Sequence, residues 1–447
     1  MAPMIRIRIY PIRFHLVAIA ILALVTPALL ASCGDSVNGP GDEEQVWEEQ
    51  RSDLSRNMSP SPTPEDLAQL VQGNHEFACN LLTHLRAESG DENLLVSPLS
   101  IRIAFAQAYA GARGTTEEEI AQTLRYLPEG QVALHQAFNA LDLALGKRNL
   151  PMGNEGEDPV ELHIANSFWG KTGYPFLDSY LDVLAVNYGA AIRSLDFLSD
   201  PEGARKIINS WIEDRTRSRI RDLLPPQALE GPVVAVLTNA LYFKAPWDLP
   251  FDVQLTRQGT FFVTEDNPVA VDMMHQLESF AYAEGENYQA LELVFRGKEL
   301  SMVLLLPARD AFEAFAAQMD AGQLGRILSD LAPADVEVTL PKFTSEASFK
   351  LKDTLRDMGM GTPFTVEADF SGMVSGRDVW IDEAYHKTFI SVDEKGAEAA
   401  AATAIVMVER GGGGDHEFIA DRPFLYLIRD RETGVILFLG QVMNPVG

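Results

Sequence analysis

The sequence predicts an α+β fold. Helical hydrophobic spacing dominates the chain from about residue 65 to about residue 220, and strand-like runs dominate the remainder. The two kinds of segment do not alternate in the regular β-α-β order that produces a parallel sheet. A chain of 447 residues, 46% of them hydrophobic, can bury a large core, either as one large domain or as two to three ordinary ones.

Helices are predicted where apolar residues recur every three to four positions. These segments are 67–86, 98–109, 116–124, 132–145, 176–186 and 201–220. Strands are predicted where β-branched and aromatic residues cluster, over 162–169, 233–243, 289–295, 301–306, 336–340 and 381–392. Two further strand-like runs, 424–428 and 435–439, predict a C-terminal hairpin.

The N-terminus has the features of an export signal. Arg6, Arg8 and Arg13 precede an apolar run over residues 16–25, and the tetrapeptide Leu-Ala-Ser-Cys ends at Cys33. This order resembles a bacterial lipoprotein signal, which is removed so that the cysteine carries the lipid. A membrane-spanning helix is the alternative, but it needs about 20 apolar residues, twice the length of this run. We therefore expect an exported bacterial protein, lipid-anchored to the membrane of the cell envelope or surface, with its domain outside the cytoplasm.

The rest of the chain divides into a tether and a domain. With residues 1–32 assigned to the signal peptide, 33–64 form an acidic, Ser/Pro-rich segment that is too polar to fold alone, and 65–447 form the domain. The chain has only two cysteines. If Cys33 carries lipid, Cys79 has no partner within the chain, so no disulfide is expected. The helical pattern around Cys79 predicts a buried thiol that serves packing.

The formal net charge of −28 argues against a polyanionic partner. Such a surface repels nucleic acid, and we expect no nucleic-acid partner. The one basic cluster has acidic residues on both sides, which favours a solvated helical face over a polyanion-binding site. It consists of Arg215, Arg217, Arg219 and Arg221 between Asp214 and Asp222.

The sequence lacks the common motifs of catalysis and of metal or nucleotide binding. Neither His75-Glu76 nor His416-Glu417 is followed by a second histidine at the spacing of a zinc protease. The four glycines at 411–414 lack the Lys-Ser/Thr pair of a phosphate-binding loop. No Gly-x-Ser-x-Gly motif and no supported Cys/His pair is present. We expect no metal, no cofactor and no enzymatic activity.

The segment 392–410, Val-Asp-Glu-Lys-Gly-Ala-Glu-Ala-Ala-Ala-Ala-Thr-Ala-Ile-Val-Met-Val-Glu-Arg, is the most informative part of the chain. At the two-residue period of a strand, Ala397, Ala399, Ala401 and Thr403 share one face, and all four are small enough to pass between packed strands. Local propensity alone favours an Ala-rich helix. The β-branched run before the segment and the strand-like run at 424–428 favour a segment that joins strands.

This segment and four others resemble the serpins over residues 65 to 445. The other four are Asn-Leu-Leu-Val-Ser-Pro-Leu-Ser at 93–100, Thr-Asn-Ala-Leu-Tyr-Phe-Lys-Ala-Pro-Trp at 238–247, Leu-Pro-Lys at 340–342, and 364–370. The resemblance implies the serpin fold, with a large mixed β-sheet, smaller sheets, about eight to nine helices and an exposed reactive-centre loop. It also implies a monomer.

The resemblance assigns residues to four functional regions. The hinge of the loop comprises Glu394, Gly396, Ala397, Glu398, Ala399, Ala400, Ala401, Ala402 and Thr403. The shutter, a polar patch beneath the middle of the large sheet, comprises Ser97, Ser100, Asn239 and His386. The breach, where the loop first enters the sheet, comprises Trp247, Lys342 and Glu394, with an ion pair expected between the last two. The reactive bond is Arg410–Gly411.

The resemblance implies a suicide-substrate inhibitor that traps the acyl-enzyme of a serine protease by inserting its loop into the large sheet. Arg410 before the reactive bond suits a trypsin-like enzyme, whose specificity pocket holds a carboxylate. A shift of the cut to Met407–Val408 or Val408–Glu409 would indicate a chymotrypsin- or elastase-like target. The alternative is a non-inhibitory binding or chaperone-like lipoprotein, for which a bulky, charged or Pro-rich hinge is expected; residues 397–404 are small instead.

Overall fold

The computed structural model describes residues 47–153, 158–231, 233–376, 379–397 and 414–446. Within these residues the fold is α+β, as predicted. Several predicted sites lie outside them, namely Cys33, the hinge positions 398–403, and Arg410 and Gly411 of the reactive bond. In the part of the chain that the structure describes, no helix combines the length and the apolar character that a membrane span requires.

Nine α-helices form within the described residues. They are α1 (Pro64–Ser89), α2 (Pro98–Tyr109), α3 (Gly114–Thr123), α4 (Gly130–Leu145), α5 (Asp178–Tyr188), α6 (Pro201–Arg215), α7 (Phe312–Ala317), α8 (Ala321–Asp330) and α9 (Leu351–Asp357). The first six agree with the predicted segments, with two corrections. Phe176 precedes α5 and forms a β-bridge with Val374. Helix α6 ends at Arg215 because Arg217 and Ser218 adopt positive φ angles of 52° and 60°, which a right-handed helix cannot include.

The large sheet has the strand order β1-β4-β3-β5-β13-β12-β11. Its strands are β1 (Glu48–Gln50), β3 (Glu161–Lys171), β4 (Ile192–Leu195), β5 (Ala235–Pro246), β11 (Phe343–Lys350), β12 (Tyr385–Asp393) and β13 (Gly396–Ala397). β5 and β12 run parallel and are paired directly over 238–240 and 385–387. Above these residues the two strands are paired through β13 instead. We call the end that contains β13 the upper end.

A second sheet carries the C-terminal hairpin. Its strands are β2 (Leu94–Val96), β6 (Arg257–Thr264), β7 (Asn267–Gly285), β8 (Tyr288–Val294), β9 (Leu300–Pro307), β10 (Ala332–Pro341), β14 (His416–Ile419), β15 (Phe424–Asp430) and β16 (Ile436–Val442). β15 and β16 form the predicted antiparallel hairpin. β14, which follows the loop, pairs parallel with β10. The two ends of the loop are therefore held by different sheets.

The two faces of the large sheet pack against different apolar clusters. Phe243 and Ile390 on its inner face belong to the main core, which also contains α1, α2 and the second sheet. On the outer face α6 buries a smaller cluster with Trp169, Trp211 and Ala240. The outer face is covered by α6 only beside β3, β4 and β5, whereas outward-facing residues such as Glu346 and Ser391 on β11 and β12 are exposed or half-buried. A strand inserted into this sheet would therefore bury its side chains mainly on the inner face.

The second half of the predicted tether lies against the domain. β1 pairs antiparallel with β4 and places Glu48 opposite Ser194, at the lower end of the sheet. The chain then passes α5 and α4 before Thr63, whose hydroxyl accepts a hydrogen bond from the Asp66 N–H and caps α1. The polar triplet Glu48–Gln50 has no strand pattern, so sequence reasoning did not find β1.

Candidate functional site: the opening in the large sheet

The hinge begins inside the large sheet. After β12 the chain reverses direction and β13 runs back between β12 and β5, paired with both. Ala397 is fully buried there. Gly396 has a φ of 153°, and a Cβ at this position would lie 2.2 Å from the carbonyl oxygen of Ala245, so only glycine fits. The pairs are Gly396 with Asp393 and Pro246, and Ala397 with Val392 and Ala245.

The breach residues lie together around the turn that precedes β13. Nζ of Lys342 is 3.0 Å from Oε2 of Glu394, whose side chain is buried. Thr256 Oγ1 donates a second hydrogen bond, of 2.9 Å, to Oε1 of Glu394. Burial opposes ionisation of this carboxyl, but hydrogen bonds from its own backbone N–H, Lys342 and Thr256 outweigh burial, and the pKa of Glu394 lies below its usual value.

Trp247 fixes the same turn from the side of β5. Its indole Nε1–H donates to the carbonyl oxygen of Asp393 at 3.0 Å, and its backbone N–H donates to that of Lys395 at 2.8 Å. The indole stacks on Phe295 with 4.5 Å between ring centroids. The N–H of Phe251 donates to the carbonyl oxygen of Glu394 at 2.8 Å. The breach therefore holds the hinge by backbone contacts as well as by the ion pair.

We expect Lys342→Met to destabilise the protein by about 1–2 kcal/mol, because it leaves the buried carboxylate of Glu394 with one fewer charge-assisted hydrogen bond. Lys342 is about one-third exposed, which keeps the loss below that of a fully buried pair. The control is Lys298→Met, whose pair with Asp248 lies at the surface. Chemical unfolding of the two variants measures the difference, and equal losses would contradict a special role for the breach pair.

The four shutter residues form one hydrogen-bond network beneath the middle of the sheet. The Ser97 N–H donates to Nε2 of His386 at 3.0 Å, and Nδ1 of His386 is 3.0 Å from Oδ1 of Asn239. The hydroxyl of Ser100 also donates to that oxygen. Nδ2 of Asn239 donates to the carbonyl oxygen of Ser100 and to Oδ1 of Asn166 on β3. The network crosses the line along which β5 and β12 meet.

These contacts require a neutral His386. Its Nε2 accepts a hydrogen bond from a backbone N–H, so it cannot also carry a proton, and the proton lies on Nδ1. Complete burial lowers the pKa of His386 from 6.5 to about 3. The ring is therefore an uncharged part of the polar network, and this geometry does not favour a catalytic histidine.

The stability of the protein is expected to fall as the pH decreases from about 6.5, because unfolding releases a histidine that binds a proton there while the folded His386 does not. The loss from His386 is about 2 kcal/mol between pH 7 and pH 5. Guanidinium unfolding of the wild type and of His386→Gln at these two pH values measures it. The variant should lose correspondingly less stability, and parallel losses would show that His386 is not responsible.

Two contributors to the site escaped sequence reasoning. Asn166 is opposite Asn239 in the β3–β5 pairing, and its side chain completes the shutter. An asparagine within a predicted strand was a usable signal, because strands disfavour asparagine unless it has a partner. Thr256 lies in a short connection before β6 and carries no comparable signal. Among residues 47–153, 158–231, 233–376, 379–397 and 414–446, no group of three or more His, Cys, Asp or Glu side chains is arranged to hold a metal ion.

Both the sequence and the structure of this chain are similar to those of known serpins. The family described as serpin (serine protease inhibitor) matches residues 72–445. An uncharacterised serpin-like protein of Thermococcus kodakarensis is 40% identical over 379 residues, which cover 84% of this chain and 86% of that protein. The leukocyte elastase inhibitor of Bos taurus is 34% identical over 388 residues, which cover 85% of this chain and all of that protein.

Among solved structures, human thyroxine-binding globulin in complex with thyroxine is similar, with a TM-score of 0.76 and 29% identity. The match covers 86% of this chain and 100% of that chain. The family match over 72–445 therefore includes every breach and shutter residue, but neither β1 nor the first turns of α1.

Proposed function

Because this chain belongs to the serpin family, whose members include inhibitors of serine proteases, we propose that it is a suicide-substrate inhibitor of a serine protease, trypsin-like by preference. The single observation that carries the proposal is β13. Gly396 and Ala397 already occupy strand positions between β5 and β12, with hydrogen-bonded neighbours on both sides. The loop therefore needs only to lengthen a strand that has begun.

The pairing of β13 predicts where each later residue would lie in the same register. Ala399 and Ala401 would face the main core, as Ala397 does. Thr403 would lie between Asn239 and His386, the residues through which β5 and β12 are now paired directly. Insertion beyond Ala401 must therefore part the shutter, and the hydroxyl of Thr403 can replace the hydrogen bonds that are lost.

The proposed reaction begins as ordinary proteolysis. The protease serine attacks the carbonyl carbon of Arg410, the bond to Gly411 breaks, and the new amine of Gly411 leaves while Arg410 remains as an acyl ester. Fourteen inserted residues at about 3.3 Å each extend roughly 46 Å. A domain of about 380 residues has a radius of gyration near 21 Å, so the strand crosses most of the molecule. Distortion of the displaced enzyme would remove its oxyanion hole and prevent deacylation.

Insertion is expected to be irreversible. A loop in solvent has backbone groups that form no ladder, whereas an inserted strand pairs with β5 on one side and β12 on the other. It also buries small side chains against the main core on one face. Each inserted residue lowers the free energy further, so the free energy of the inserted state is far below that of the state before insertion.

The deciding experiment is incubation of the chain lacking residues 1–33 with trypsin, chymotrypsin and elastase. A complex that survives a denaturing gel, together with a released peptide that begins at Gly411, would support both the mechanism and the bond. A peptide beginning at Val408 or Glu409 would assign the bond to a chymotrypsin- or elastase-like target. Cleavage by all three enzymes without any complex would contradict inhibition.

A binding protein is the second candidate. The likeness to thyroxine-binding globulin in complex with thyroxine favours it, because that protein holds a small molecule. A loop that serves no insertion has no need of small residues at alternate positions, and Ala397 with Ala399, Ala401 and Thr403 therefore favours inhibition. The two candidates give opposite results on the denaturing gel.

We propose further that the protein is exported, held to the bacterial cell envelope by lipid on Cys33, and monomeric. The expected result of Cys33→Ala is loss of the protein from the membrane fraction, because the anchor would be absent. Fractionation and immunoblotting of cells that express either form measure this, with the full-length wild type as control. Equal amounts in the two membrane fractions would contradict anchoring.

A further inference from the structure

Residues 47–57, which we call the strap, occupy a defined binding site on the edge of the large sheet. β1 adds a strand to β4, the last strand on that side, and covers backbone groups that would otherwise be unpaired. Nε2 of Gln50 donates to Oγ of Ser194 at 2.9 Å. Strand addition with side-chain contacts is how folded domains bind extended peptides, and here the peptide is part of the same chain.

The N-terminal end of the strap binds in an aromatic cluster. The indole of Trp47 packs edge-to-face on Trp169, with 5.6 Å between ring centroids and 84° between planes. The guanidinium of Arg193 lies over Trp47, Trp169 and Trp211 at 5.9, 5.7 and 4.9 Å from their centroids. Trp211 belongs to α6, so the N-terminal end of the strap joins β3, β4 and α6. A tryptophan in such a cluster is a typical anchor of a binding interface.

The other end of the strap binds helices. Arg56 donates from Nε to Oδ1 of Asn139 at 2.9 Å and from Nη2 to Oδ2 of Asp142 at 2.6 Å, both on α4. The carbonyl oxygen of Asn57 accepts from Nδ2 of Asn139, and its N–H donates to the carbonyl oxygen of Val186 on α5. The strap is thus fixed at both ends, with sheet contacts at one and helix contacts at the other.

Opening of the large sheet would place the strap under tension. Admitting a new strand moves β5 away from β12 by about 4.8 Å, and β3, β4 and β1 are paired in order on the β5 side. Helix α4 packs on α1, which packs on β2 and β16, and β2 in turn contacts β11 and β12. One end of the strap lies on β4, and Arg56 at the other end lies on α4, from which contacts lead through α1 and β2 to β11 and β12. Asn57 lies on α5, which the chain joins directly to β3 and β4, so the contacts of Arg56 with α4 are the ones that would resist the movement.

We propose that the strap is a bound intramolecular peptide that restrains opening of the large sheet and so limits the rate of loop insertion. The inference rests on the proposed function only in requiring that the sheet accept a strand. The binding site on β4, α4 and α5 takes an extended segment with a tryptophan near its N-terminal end and an arginine near its C-terminal end, and residues 47–57 of the same chain supply it. Release of the strap should make insertion faster, and covalent fixation should make it slower.

The test measures uptake of a synthetic peptide with the sequence of residues 396–409 by the intact chain lacking only residues 1–33. The double variant Trp47→Ala/Arg56→Ala releases both ends, and we expect uptake about tenfold faster or more. The double variant Glu48→Cys/Ser194→Cys joins residues that are directly opposite in the register, where a disulfide fits. Oxidised, it should take up peptide about tenfold more slowly than when reduced.

Two controls separate restraint from general stability. Leu324→Ala on α8 removes a buried side chain remote from the strap and lowers stability without touching it. Leu54→Ala changes a half-exposed strap residue that makes no anchoring contact. Faster uptake by Leu324→Ala, at an equal loss of stability, would overturn the proposal, as would equal rates for the oxidised and reduced cysteine variants.

The remaining outcomes are also decisive. A disulfide that forms between chains on a non-reducing gel would place the strap on a second copy and overturn binding in cis. Absence of uptake by every form would contradict the proposed function and the restraint together. Uptake by the released variant alone would support the restraint, and uptake by the wild type with no effect of the strap would contradict the restraint while leaving the proposed function intact.

Discussion

Replacement of Ala397 by arginine is expected, under the proposed function, to turn the protein from an inhibitor into a substrate of the protease. Ala397 is fully buried between Val392 and Ala245, and its side chain faces the main core. A guanidinium there would be buried without a partner, at a cost of about 3–5 kcal/mol. The hinge of the variant is therefore expected to lie outside the sheet before cleavage, so that this cost falls on insertion. Insertion competes with deacylation, and each 1.4 kcal/mol slows insertion about tenfold. The variant should therefore be cleaved at the same bond, with complex formation reduced by a factor of about 10² to 10⁴.

Glu398→Arg is the matched control, because adjacent strand positions face opposite sides of a sheet. Continued in the register of β13, residue 398 would lie beside Lys244 and Ser391, both half-buried on the outer face. We expect it to retain most of its inhibition. Gel densitometry of complex against cleaved product gives the ratio for both variants. Equal complex formation by Ala397→Arg and the wild type would contradict insertion in this register.

Replacement of Arg410 by alanine is expected to remove most of the reaction with trypsin-like enzymes. The guanidinium would form a buried ion pair with the carboxylate of the specificity pocket, and truncation of such a pair costs about 3–5 kcal/mol. The second-order rate constant with trypsin should fall by a factor of about 10² to 10⁴. Progress curves at several inhibitor concentrations measure it.

Glu409→Ala is the control for Arg410→Ala, since it alters the neighbouring residue but not the proposed contact. Its rate constant with trypsin should stay within about tenfold of the wild type. If Arg410→Ala and the wild type react equally fast, the reactive bond lies elsewhere. In that case the mass of the released peptide identifies the bond, including either alternative near Met407 and Val408.

The elements that sequence reasoning found have strong local patterns. Helices α1 to α6 have apolar residues at helical spacing, and the hairpin of β15 and β16 has two apolar runs separated by a turn. Helices α7 and α9 are too short to show a period. β1 has no pattern, because its contacts with β4, Trp169 and Arg193 are distant in sequence. Local periodicity is silent about contacts of that kind.

In the candidate site, too, sequence reasoning found the residues that carry a pattern but not the contacts between distant strands. The resemblance identified Ser97, Ser100, Asn239 and His386 as one group, and the structure brings all four within a single hydrogen-bond network. What the sequence alone could not supply is the register that sets His386 of β12 beside Asn239 of β5. Parallel strands far apart in the chain are aligned by packing and tertiary contacts, and no local pattern encodes that alignment.

The lower-end position of β1 has a consequence for an anchored molecule. Trp47 is the residue at which the described chain begins, at the pole remote from the hinge, and a captured protease would travel to that same pole. If Cys33 carries lipid, the reactive-centre loop lies at the pole that faces away from the membrane. Under the proposed function, a trapped protease would then move to the pole nearest the membrane. Residues 34–46 can reach at most about 45 Å, close to the diameter of a protease of about 230 residues. The distance between the bilayer and the lower pole of the domain would then limit the size of the protease that the anchored molecule can hold.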